Sequence, residues 1–189
     1  MGIFGKGSAA ILVLAVMATG CAQLQAPPYS TDYEALDRLK SSRPAAVKVD
    51  TVQPTDPNHR VNRISLRGVG MVSASGTFAK YLENALVQDL KEISAFAPEA
   101  PTRLNATIVN NDVSVGNIVT GTGTMEVALT ITREGQQRLA KTYKVDTSFE
   151  SSFAGMIAVR AGQEAYPQLV RALLREVYSD PEFIAAIRP

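Results

Sequence analysis

The chain has 189 residues with 19 Lys plus Arg against 18 Asp plus Glu, a single cysteine, a single histidine and no tryptophan. A near-neutral balance without a Lys/Arg cluster supplies no field for nucleic acid. One cysteine excludes an internal disulfide, and His59 alone leaves few partners for a zinc site or a catalytic dyad, so neither a metal nor a cofactor is expected.

The chain opens with MGIFGKGS, whose one positive charge is Lys6, and continues with the apolar run AAILVLAVMA and the small residues Ala18, Thr19 and Gly20 before Cys21. That is the three-part layout of a secretory signal. The run falls short of the roughly 20 apolar residues that a spanning helix needs. Small residues directly before the cysteine in MATGCAQ resemble the lipobox of bacterial lipoproteins, although Ala18 stands where Leu is most often found. The resemblance implies that residues 1–20 are removed and that Cys21 carries the lipid. A plain secretory signal with an incidental cysteine is the alternative. Myristoylation fits worse, because Lys6 occupies the position where M-G-x-x-x-[ST] requires Ser or Thr.

Without Lys6 the basic and acidic side chains are equal in number, so attachment to a membrane rests on the lipid, at about 0.8 kcal/mol per buried methylene. Residues 21–43 read as the lipidated N-terminus and a flexible tether, because Pro27-Pro28 rules out a continuous helix. A random coil of that length reaches on the order of 25 to 30 Å. Within it, Thr31 and Glu34 have capping-box spacing, and Tyr33, Leu36 and Leu39 form one face of a short helix able to dock on the domain or on a partner.

Residues 44–189 read as one domain. Val47 and Val49, then Ile64 and Leu66, alternate with polar neighbours and predict two strands separated by the turn-forming PTDPN. In SGTFAKYLENALVQDLKEISAF the residues Phe78, Leu82, Ala85, Leu86, Leu90 and Ile93 recur at helical spacing and predict a helix from about Thr77. Leu104, Ala106 and Ile108 alternate up to NND, beyond which Val113 and Val115 continue in the opposite phase, so a bulge or bend is expected there. Met125, Val127, Leu129 and Ile131 then form one face of a hairpin with Leu139, Tyr143, Val145 and Phe149, around a turn at Glu134-Gly135. Leu169, Val170, Leu173, Leu174 and Val177 predict a second helix with Pro167 in its first turn; upstream, SSFAGMIAVRAGQ has no clear assignment. A short helix with Asp180 as N-cap and Pro181 at its first position closes the chain. The expected fold is α+β: an antiparallel sheet of about four to five strands with two helices packed on one face, and Leu86, Leu129 and Leu173 buried between them.

Lipobox, tether, GTFAKYLENAL helix, three-strand meander and terminal LVRALLREVYSDPEF helix resemble the YajG-type lipoproteins and, more loosely, LptE and other transport-auxiliary envelope lipoproteins. The resemblance implies a protein on the periplasmic face of the bacterial outer membrane, with Ala22 and not Asp after the cysteine, acting through contacts with an envelope protein complex. Lipid or lipopolysaccharide handling and cell-wall synthase support are the settings it suggests.

The chemistry-bearing residues point the same way. No G-x-S-x-G, H-E-x-x-H or S-x-x-K pattern is present. His59 falls in a turn, DPNHR. The glycines of GNIVTGTGT lack the Lys of a phosphate loop, since Thr122 stands in its place, and read as a flexible hairpin connection. That connection carries Ile118 and Val119, a candidate partner contact. No catalytic residue is assigned. The competing reading is an envelope hydrolase using an unrecognised serine or the carboxylates Glu126 and Asp146, which a solvated polar sheet face explains more simply.

Overall fold

The alternating middle third of the chain builds the larger of two sheets in the structure, a computed structural model that describes residues 23–189. Residues 1–20, read as a signal, and Cys21 lie outside the described residues. In chain order the elements are β1 (Leu24–Gln25), α1 (Tyr33–Ser41), β2 (Val47–Val49), a single 3-10 turn (Arg60–Asn62), β3 (Ile64–Leu66), β4 (Val69–Val72), α2 (Phe78–Glu92), β5 (Thr102–Ser114), β6 (Thr120–Arg133), β7 (Gln136–Glu150), α3 (Gly155–Ser179) and α4 (Pro181–Ile187). The fold is α+β, as expected.

The larger sheet has the order β2-β5-β6-β7. β5, β6 and β7 form the antiparallel meander, turned at Glu134 and Gly135, which both take positive φ. That is the backbone required by a two-residue hairpin whose twist matches its strands. The phase change in β5 is a bulge: Ile108 faces Val127 while Asn110 faces Glu126, leaving Val109 unpaired in register. The Arg60 guanidinium donates to the Val109 carbonyl at 2.6 Å and supports the bend. Leu104, Ala106, Ile108, Met125, Val127, Leu129 and Ile131 are buried in one cluster with Phe78, Leu82 and Leu86 of α2 and Leu169, Leu173 and Leu174 of α3.

The sheets are not purely antiparallel. β2 runs parallel to β5, and β1 runs parallel to β4 in a second, three-stranded sheet of order β1-β4-β3. Between β2 and β5 the chain passes through α2, and a crossover of that kind returns a strand in the same direction, which a tight hairpin cannot do. The small sheet adds two strands absent from the expectation. β3 and β4 are joined by Arg67 and Gly68, both at positive φ, where the Arg-Gly pair lacks the usual Asn-Gly signature.

Three further expectations are corrected. Residues 23–43 are not a flexible tether: Leu24 and Gln25 pair with Met71 and Val72, and α1 buries Ala35, Leu36 and Leu39 against the core, in contact with α3. Burial of an apolar helical face outweighs the freedom of the linker. The cap of α1 is Asp32 and not Thr31, and Tyr33 is exposed. Second, α3 does not start near Pro167 but runs through it from Gly155. An interior proline costs roughly 3 kcal/mol, which is offset here by burial on both sides, of Ala158, Val159 and Tyr166 before it and Leu169, Val170 and Leu173 after it. Third, Gly121 and Gly123 belong to β6 and not to a flexible connection. A Cβ on Gly121 would come within 2.2 Å of the Phe149 ring, and one on Gly123 within 3.2 Å of Leu169. These glycines make room for side chains; they do not loosen a loop.

Tyr166 ties α2 to α3. Its ring lies 4.6 Å from that of Phe78 and 5.3 Å, edge on, from that of Tyr81, the tilted arrangements that aromatic quadrupoles favour.

Candidate functional site

The segment that follows Cys21 is fastened to the domain by polar groups. Tyr29 donates to Asp89 Oδ2 at 2.8 Å, Thr31 to Asp89 Oδ1 at 2.9 Å, and Tyr178 of α3 to Oδ2 at 3.1 Å. Asp89 is fully buried. Burial pushes its carboxyl above the ordinary carboxylate range, against the three hydroxyl donors that favour the anion. Beside it, Arg175 pairs with Asp32 at 2.6 Å, and Arg171 donates to the Ser30 carbonyl at 3.0 Å. Burial alone would raise Asp32, yet the Ala35 N–H and the Arg175 guanidinium hold it below its usual value. Tyr81 donates to the Pro27 carbonyl at 2.8 Å. Asp89 was not singled out from the sequence, although the signal was there: it lies three residues after Leu86 and four after Ala85, on the apolar stripe of α2.

The hairpin connection between β5 and β6 carries Ile118 and Val119, 62% and 72% exposed. The structure brings other apolar residues to the same end of the molecule. The Val119 carbonyl accepts from the Ser151 N–H at 2.8 Å, and Phe153, Met156 and Ile157 follow directly in the chain, all exposed. Arg67 binds the two connections together, donating to the carbonyls of Val115 at 3.1 Å, Ser152 at 3.1 Å and Phe153 at 2.8 Å. Met156 and Ile157 also line a shallow groove with Leu24, Pro27 and Arg160. Phe153, Met156 and Ile157 escaped the sequence reading because exposure on one side of a helix start depends on what the neighbouring strands cover.

The residues weighed for chemistry are dispersed. His59 is exposed and caps the 3-10 turn, its Nδ1 accepting from the Val61 N–H at 3.4 Å. Asp146 is exposed on the outer face of β7, where it accepts from the Thr124 hydroxyl at 2.7 Å and lies 3.6 Å from Lys144 Nζ. The Thr124 hydrogen bond, with Lys144 beside it, holds its carboxyl below the usual range. A carboxylate so placed is a poor proton donor at neutral pH. Glu126 sits opposite Lys144 in the register, two pairs along from the Thr124–Asp146 pair. Among the described residues no group of His, Cys, Asp and Glu is arranged to hold a metal ion, and no helix is long and apolar enough to cross a membrane.

No family model matches the chain, and no curated protein is similar to it. Solved structures are. Protein XCC0632 from Xanthomonas campestris, of the DUF330 family, superposes with a TM-score of 0.51 at 14% identity over 82% of this chain and 91% of its own. A candidate lipoprotein from Caulobacter crescentus CB15 gives 0.47 at 12% identity over 81% and 97%. Lipoprotein GNA1162 from Neisseria meningitidis gives 0.28 at 11% identity over 72% and 100%. The first of these likenesses shows a shared fold.

Proposed function

We propose that this chain is a lipid-anchored envelope lipoprotein, held through Cys21 on the periplasmic face of the outer membrane, that serves as a non-catalytic binding or auxiliary subunit of an envelope complex. The observation that carries the anchor is MATGCAQ, a lipobox-like sequence at the end of a short apolar run. The non-catalytic role is supported by the state of the chemical groups: Asp146 is solvated and held as its anion, His59 caps a turn, and Asp89 is saturated by three hydroxyls inside the core. The shared fold with XCC0632 fits this reading without assigning a task. Lipid or lipopolysaccharide handling and cell-wall synthase support are the roles its YajG-type resemblance favours.

Metabolic labelling with a palmitate analogue tests the anchor. Wild-type protein should take up the label and sediment with outer membranes, while Cys21→Ser should remain unlabelled and uncleaved or be released as a soluble product. Equal labelling of both forms would overturn the assignment. Crosslinking in intact envelopes followed by affinity capture should recover a membrane complex with the anchored form, and turnover of an envelope substrate by the purified protein, lost in Asp146→Asn, would refute the non-catalytic role.

A further inference from the structure

Among the described residues seven large hydrophobic side chains are exposed, and five of them, Ile118, Val119, Phe153, Met156 and Ile157, are gathered at one end of the domain. Their grouping follows from the contacts already given: Val119 bonds to Ser151, Arg67 clamps the Val115 and Ser152–Phe153 backbones together, and Phe153 leads into the first turn of α3. Scattered exposed apolar residues are ordinary; a contiguous group marks a contact surface.

The position of β1 says what that surface meets. Leu24 lines the same groove as Met156 and Ile157, and Gln163 of α3 donates to the Gln25 carbonyl. Cys21 is three Cα–Cα steps before Leu24 in the chain, so the cysteine cannot lie more than about 11 Å from Leu24. Pairing of β1 with β4 and the Asp89 cluster remove the slack that a tether would have supplied. We propose that this end of the domain lies against the phospholipid surface that holds the Cys21 lipid, with Ile118, Val119, Phe153, Met156 and Ile157 inserted at the level of the headgroups and upper acyl chains. The proposal rests on the lipid-anchor reading. It also sets an orientation: β7, whose Glu150 end adjoins Thr120 and the apolar group, is 15 residues long and extends roughly 45 Å. The turn at Glu134-Gly135 then stands farthest from the bilayer, and the outer face of the sheet is left open to a periplasmic partner. The rim of the apolar group carries Arg67 and Arg160 against Glu150 and Glu164, with Arg160 and Glu164 paired at 3.0 Å. With that balance the contact depends on apolar insertion and not on a basic patch, so salt should not release it.

Cys21 is the only native cysteine, and once in a thioether it cannot react with a thiol probe. Each of Val119→Cys, Phe153→Cys and Ile157→Cys in the full-length, lipidated chain therefore offers one site for an environment-sensitive fluorophore, with Tyr33→Cys and Gln136→Cys as exposed controls. The labelled proteins are reconstituted into phosphatidylethanolamine–phosphatidylglycerol vesicles with and without doxyl-labelled lipid. Probes at 119, 153 and 157 should be quenched by the doxyl lipid several-fold more than those at 33 and 136, and iodide in the buffer should show the reverse order, at low and high salt alike. Equal lipid quenching at all five positions overturns the proposal. So does shielding of the three probes from both quenchers, which would place a second copy or another protein on the patch. Labelling of two thiols per chain would show Cys21 unmodified; the anchor reading would then fall and this orientation with it, whereas one thiol without lipid quenching defeats the orientation alone.

Discussion

Tyr29 from the N-terminal segment and Tyr178 from α3 donate to the same oxygen, Oδ2 of Asp89, at 2.8 and 3.1 Å. One buried carboxyl thus joins three parts of the chain that are far apart in sequence. Asp89→Ala would leave the Tyr29, Thr31 and Tyr178 hydroxyls without their acceptor. A buried donor stripped of its partner costs about 1 to 3 kcal/mol, so the expected loss is about 3 kcal/mol. Hydrogen exchange in residues 24–41 should accelerate more than in β5 and β6, because the meander keeps its own ladder.

The same carboxyl gives a pH dependence of definite sign. Its value in the folded protein is raised, so the native state binds the proton more tightly than the unfolded chain does. The stabilisation linked to it is complete below the ordinary carboxylate range and is lost as pH rises through the raised value. Denaturant melts from acid to neutral buffer should therefore show a smaller decline with rising pH in Asp89→Asn than in the wild type.

Asp180 behaves oppositely. It caps α4 through the Glu182 N–H at 3.0 Å, accepts from Tyr143 at 2.6 Å and pairs with Lys141 at 2.9 Å. Burial works against its anion, but these three partners outweigh it and hold the carboxyl below its usual value. Its contribution is present above the ordinary carboxylate range and disappears as pH falls through the lowered value. Asp180→Ala should cost about 1 to 2 kcal/mol near neutral pH, as for other N-caps, and the difference from wild type should shrink in acid melts.

In the core, Leu86, Leu129 and Leu173 are each no more than 2% exposed. Truncation of any one to Ala should cost about 2 to 5 kcal/mol. Chemical denaturation of the three variants checks this; losses below about 1 kcal/mol at all three would contradict a single core shared by α2, β6 and α3.

Gly121 and Phe149 should be energetically coupled. Gly121→Ala drives its new methyl into the Phe149 ring and should cost about 1 to 3 kcal/mol. In a Phe149→Ala background the same change should be close to neutral, and a double-mutant cycle on melting data measures the difference.

What the sequence determined by itself is whatever periodicity can encode. The meander, its turn at Glu134-Gly135, the bulge after Ile108, the stripe of α2 and its start near Thr77, and the Asp180-Pro181 start of α4 were all legible, because each depends on residues within a turn or two of one another. Tertiary structure decided the rest. The order of residues 23–43, the parallel pairing of β1 and β2, and the passage of α3 through Pro167 depend on burial against partners as far as 143 residues away, which no local pattern carries. Ile118 and Val119 could be picked out as apolar residues in a turn. That they adjoin Phe153, Met156 and Ile157 near Leu24 is a property of the packed molecule, since only long-range contacts decide which apolar side chains remain uncovered and which of them lie side by side.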